Sequence, residues 1–155
     1  MHKYEAKVSW TRGASEKFTD LRFSRAHQWA FDSGITLKAS SSPSVVPPPL
    51  SATDAVDPEE ALVASTSSCH MLYFLFFAAK RGLIVDSYVD NAFGVLEKNA
   101  SGKMHMSRIT LRPAITFAGA APTSADLDAL HHAAHEECFI ANSLKSEIVV
   151  EPVVQ

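Results

Sequence analysis

The stretch Asp57-Pro58-Glu59-Glu60-Ala61-Leu62-Val63-Ala64-Ser65-Thr66-Ser67-Ser68-Cys69 decides the architecture. Asp57 is a good N-cap, Pro58 suits the first helical position, and Glu60 completes a capping-box pattern three residues on. Both glutamates also sit well at the positive end of a helix dipole. Small and apolar residues continue to position 79, and Lys80-Arg81-Gly82 supplies a basic last turn and a stop. A helix is predicted over 58–81, in one piece or bent where residues 64–69 are poor in helix formers. Residues 71–79 show no polar face, which predicts burial on all sides.

Upstream, residues 3–10 alternate Tyr4, Ala6, Val8 and Trp10 against polar neighbours, the period of a half-buried strand. Further strands are predicted at 18–23, 28–31 and 35–39. Residues 40–56 are rich in Ser and Pro and read as one long loop, extended near polyproline II at 47–49. Downstream, 83–96 and 104–117 read as two strands joined by a hairpin loop at 98–103. Pro113 marks an edge or a bulge. A second helix opens at 122–126, capped by Thr123 or Ser124, carries Cys138, and ends by Ser143. Residues 148–154 form a last strand. The order is α+β in a single domain, 1–155.

The composition fits a globular protein, with 46% hydrophobic and 20% charged residues. A net charge of -3 and scattered basic residues argue against nucleic acid. The N-terminus has no apolar signal region, and the run 71–79 is short for a membrane span. A cytoplasmic protein is expected, and there two cysteines point to catalytic, redox or metal roles rather than a staple. The alternative is two inert buried thiols.

Cys69 acts as a nucleophile only as its thiolate. A break near Ser67 would put it at a helix N-terminus, where free amides stabilise the anion. His70 points about 100° away around a helix and reads as a core or interface histidine. His131, His135 and Cys138 share helical spacing, so a metal site is a rival reading, although no paired Cys-x-x-Cys or His-Glu-x-x-His accompanies them.

The Pro58-Glu59-Glu60 start with Cys69 ten residues after Glu59, and a second cysteine, Cys138, in the following helix, resembles the OsmC/Ohr hydroperoxide reductases. Asp57 stands where the family more often has Asn. The closing Val-Val-Glu-Pro is also similar. The resemblance implies antiparallel sheets wrapped around a long central helix and a second helix, in an intertwined homodimer. It implies that Cys69 is the peroxidatic cysteine, Cys138 the resolving one and Glu59 an active-site carboxylate. It also implies a thiolate-stabilising arginine, assigned first to Arg25, with Arg12 and Arg22 as alternatives. The implied substrate is an organic hydroperoxide and the implied reductant a small dithiol or a lipoylated protein, with no metal, haem or flavin. The Ser/Pro loop and Ser-Ser-Cys-His-Met-Leu mark a divergent branch.

Along a straight helix, ten residues rise ~15 Å, so Glu59 and Cys69 of one chain cannot touch. An antiparallel partner helix could bring Glu59 of one copy beside Cys69 of the other. The rival in another class is a small-molecule binding or redox-sensing protein on the same scaffold.

Overall fold

The computed structural model of the protein describes residues 1–153. The chain divides into two compact units, residues 1–61 and the part from Leu62 onward.

The first unit holds a three-stranded antiparallel sheet, β1 (Ala6–Ser9), β2 (His27–Phe31) and β3 (Thr36–Ala39), in that order. The strand expected at 18–23 is instead a series of turns. Phe18 and Leu21 take left-handed φ values of 55° and 62°, which a strand excludes. Side chains organise this segment. The Glu16 carboxylate accepts from Gly13 N at 2.9 Å and Ser24 N at 2.8 Å, and Phe18 stacks on Phe23 at 4.5 Å. The long loop follows β3 and is pinned at buried Ser40. Its amide donates to Val56 O and its hydroxyl accepts from Ala52 N, both at 3.0 Å. Residues 47–50 form a turn, with Leu50 N donating to Pro47 O at 3.2 Å and a cis Pro48–Pro49 bond, not the extended segment expected.

Helix α1 (Pro58–Lys80) begins on the predicted capping box. Glu60 N donates to Asp57 Oδ1 at 2.8 Å, and Asp57 N to Glu60 Oε2 at 3.4 Å. It ends at Gly82, whose φ of 74° permits the closing bond from Leu83 N to Ala78 O at 3.0 Å. The helix is unbroken, so the bend near Ser67 does not occur. Ser65 and Thr66 turn their hydroxyls back onto Leu62 O, at 2.9 and 2.8 Å, and so satisfy themselves inside the helix.

The second unit has two sheets. One is β4 (Ile84–Asp90) paired antiparallel with β7 (Pro113–Ala118). The other sets β6 (Met104–Leu111) between β5 (Phe93–Lys98), antiparallel, and β8 (Glu147–Val150), parallel. Each predicted long strand is therefore two strands that change sheet at one level, after Asp90 and at Arg112. Asp90 fixes this corner by accepting Arg112 N at 2.6 Å through Oδ1 and Ser67 Oγ at 2.5 Å through Oδ2. The hairpin at 98–103 is as expected, organised by Asn99 Oδ1 accepting from Ser101 N and Lys103 N at 3.0 Å. Of the last strand predicted at 148–154, β8 covers the first part, to Val150; Val154 lies outside the described residues.

Helix α2 (Ser124–Glu137) is capped by Thr123, which accepts Asp126 N at 3.2 Å. Cys138 breaks the helix, and a short α3 (Phe139–Ser143) follows. Phe74 and Ala78 of α1 and Leu130 and Ala134 of α2 form the core, covered by Val85, Tyr88, Ile115 and Phe117 of the β4–β7 sheet. Gly94 is required on β5, because a Cβ there would lie 2.4 Å from Met106 Sδ and 2.9 Å from Val63 Cγ2.

Burial of α1 is one-sided. Thr66, His70, Phe74 and Ala78, at four-residue spacing, are buried, while Leu72 and Phe76 are 60% and 55% exposed. An 18-residue window of α1 has mean hydropathy 1.5 and meets the length and apolarity of a membrane span, yet only 22% of it is buried within the chain. The expectation of an all-round buried helix fails for a single copy.

Candidate functional site

Cys69 lies at the centre of α1, half-buried, with a free thiol. Because the helix is continuous, the amides around Cys69 are consumed by the helix ladder. The expected helix-N-terminal activation is absent there; the free amides of α1 lie in its first turn. Cys138 is fully buried at the junction of α2 and α3. Its Sγ caps α3 by accepting Ala141 N at 3.4 Å.

The fold brings the two thiols near one another, although 69 residues separate them in sequence. Burial, opposed by the Ala141 amide and reinforced by the Cys69 sulfur, pushes the Cys138 thiol up to about 11. Cys138 therefore keeps its proton at neutral pH. Nearby, Ser67 of α1 donates to Asp90 and locks this part of the helix to the end of β4. Sequence reading missed that contact, since only the sheet-switching corner creates it.

Arg25 and Glu59 belong to the first unit. Glu59 is half-buried in the first turn of α1. The Arg25 guanidinium donates to Leu21 O at 2.9 Å and to Phe23 O, and lies 3.9 Å over the Phe23 ring. Arg12 is spent on Gly13 O, at 3.1 Å, and Glu16 O. The backbone of Arg22 donates to Asp20 Oδ1 at 3.0 Å. Arg25 also borders an open cleft of about 370 Å³ with Trp10, Phe23, His27, Ser40 and Pro58. Trp29 Nε1 donates to His27 Nε2 at 3.0 Å, so His27 Nδ1 carries the hydrogen that Arg25 O accepts at 2.8 Å.

Among the described residues, no three His, Cys, Asp or Glu side chains converge as metal ligands. His131, His135 and Cys138 thus do not form the set that their spacing allowed. His131 instead meets His70 in the core, Nδ1 to Nε2 at 3.0 Å. Burial in the apolar core pushes both imidazoles down to about 4 from 6.5. The neighbouring His131 and His135 act the same way on His70, and Asp128 works against the shift at His131. His70 is therefore a core histidine, as its angular offset from Cys69 indicated.

Residues 51–153 match the model of the family described as OsmC-like protein. The chain belongs to the OsmC-like family. An OsmC-like protein of unknown function from Vibrio cholerae is 52% identical, with a TM-score of 0.96 over 99% of this chain and 100% of that one. The organic hydroperoxide resistance protein of Elizabethkingia anophelis shares the fold at 15% identity, with a TM-score of 0.71 over 98% of this chain and 94% of that one. The organic hydroperoxide resistance protein OhrB of Bacillus subtilis does so at 14% identity, with a TM-score of 0.67 over 99% and 98%. No curated protein matches the chain. The OsmC-like fold, with its antiparallel pairings and long helix, is thus the one the sequence implied.

Proposed function

We propose that this OsmC-like protein is a thiol peroxidase that reduces organic hydroperoxides through Cys69 and Cys138, in defence against oxidative stress. The observation that carries the reading is the approach of two free thiols, half-buried Cys69 and fully buried Cys138, near enough for the Cys69 sulfur to raise the Cys138 thiol. The Cys69 thiolate attacks the terminal peroxide oxygen. An S–O bond forms, the O–O bond breaks, and the alkoxide takes a proton and leaves as alcohol. Cys69 is then a sulfenic acid. The Cys138 sulfur attacks it, the S–S bond forms, and hydroxide departs with the Cys138 proton as water. A dithiol or lipoylated-protein reductant returns two electrons and two protons by exchange. The residues require no metal, haem or flavin for these steps.

In this reading the whole chain acts as one domain in a cytoplasmic homodimer. The exposed Leu72–Phe76 face of α1 supports a second copy as its cover. An antiparallel partner helix then places Glu59 and Arg25 of the second copy at Cys69. The left-handed Phe18 and Leu21 support a functional role for the Arg25 loop, because such backbone persists only where its surroundings impose it.

A second reading, small-molecule binding or redox sensing, is favoured by one observation: the Arg25 guanidinium is engaged by its own loop. Stopped-flow oxidation of the reduced protein by cumene hydroperoxide separates the two. The peroxidase reading expects fast oxidation, its loss in Cys69→Ser, and arrest at a sulfenic acid in Cys138→Ser. Oxidation no faster than a free thiol would overturn it in favour of the binder.

A further inference from the structure

Two side chains outside the thiol pair tie together the same two helices. His70 follows Cys69 on α1, and His131 lies on α2 seven residues before Cys138. They are 1% and 5% exposed, stacked with centroids 5.3 Å apart and 9° between planes, and share one hydrogen bond. Their outer nitrogens, His70 Nδ1 and His131 Nε2, are buried with no partner among the described residues. Phe74 packs on the pair, 4.6 Å from the His131 ring. Two apolar side chains would fill this volume without burying unpaired nitrogens, so packing alone does not account for two histidines here.

We propose that the His70–His131 hydrogen bond positions Cys138 against Cys69 and so sets the rate at which the disulfide closes. This rests on the peroxidase reading above. A hydrogen bond between two rigid rings fixes both distance and direction between α1 and α2, whereas apolar contacts tolerate sliding. Seven residues are close to two helical turns, so His131 and Cys138 lie on one side of the α2 path, and fixing one fixes the other. Closure needs the Cys138 sulfur in line with the S–O bond of the Cys69 sulfenic acid, a geometry sensitive to small displacements. Neither histidine touches a reacting atom, so both are positioning residues.

The test measures two rates after a cumene hydroperoxide pulse on the reduced full-length protein. One is sulfenic acid formation at Cys69, trapped with dimedone and read by mass; the other is disulfide closure. His131→Phe keeps a ring and removes the nitrogens, and His131→Asn returns a polar group near the Nδ1 position. The expected result is closure slowed about tenfold in His131→Phe, with sulfenic acid formation unchanged and closure largely restored in His131→Asn. The pair His70→Leu and His70→Gln repeats the comparison from α1 and serves if a ring variant does not fold. Closure at the wild-type rate in the apolar variants overturns the proposal, as does equal slowing in the apolar and amide variants. If the wild type forms neither sulfenic acid nor disulfide faster than a free thiol is oxidised, the peroxidase reading is overturned instead. Closure is then driven with diamide, which takes two electrons and two protons from the thiol pair and reports positioning alone.

Discussion

The two faces of α1 have almost the same apolar character and opposite surroundings. The inner stripe, Thr66, His70, Phe74 and Ala78, is buried against α2 and the β4–β7 sheet, while Leu72 and Phe76 face outward. The inner stripe even carries the polar residues, a threonine and a histidine. What separates the faces is the partner each finds: His131 meets His70 Nε2, and the Leu62 carbonyl accepts the Thr66 hydroxyl, within the chain. The outer face is apolar and largely exposed, Phe76 meeting Phe77 and Lys80 of its own helix, as expected of a surface that a second copy covers. Cys69 is on the same helix, half-buried, so its sulfur lies near Cys138 and is still partly open to solvent.

The largest expected effect tests the two faces directly. Phe74→Ala should cost about 3–5 kcal/mol in urea unfolding, because it leaves a cavity in the core. Phe76→Glu should spare that core and shift sedimentation toward the monomer. Similar losses of stability without dissociation in both variants would break the comparison and remove the argument for a dimer through this face.

An intermediate effect concerns the polar part of the inner stripe. His70 and His131 are neutral in the folded protein down to about pH 4, whereas the unfolded chain protonates them near 6.5. The unfolded state therefore binds more protons between these values. Stability is full above pH 6.5 and falls as the pH drops toward 4, by up to about 3 kcal/mol per imidazole. Urea midpoints between pH 7 and 4.5 should show this decline, reduced in His70→Gln. An identical slope in the variant would mean that carboxylates elsewhere dominate acid unfolding.

The smallest effect lies at the start of the helix. Asp57→Ala removes the acceptor for Glu60 N and should cost about 1 kcal/mol, read by thermal or urea unfolding, with peroxide oxidation of Cys69 unchanged. A change in the oxidation rate would mean that the cap also places the Cys69 end of α1.

The sequence by itself determined the features whose partners lie within a few residues. The Asp57–Glu60 box, the Gly82 stop, the Asn99 hairpin loop and the Thr123 cap are closed by local hydrogen bonds, and residue type alone specifies them. The Pro-Glu-Glu start and its distance to Cys69 were enough to imply the OsmC-like fold. Local reading failed where a distant group decided. Residues 18–23 have strand-like composition, yet Glu16 and the aromatic stack hold them in turns. Asp90 and Arg112 break two apparently continuous strands, because a carboxylate accepts a backbone amide 22 residues away. The approach of the two thiols and the His70–His131 pair span 69 and 61 residues. Only the tertiary structure decided those pairs, because helical periodicity says which side of a helix a residue faces but not which residue of another helix it will meet.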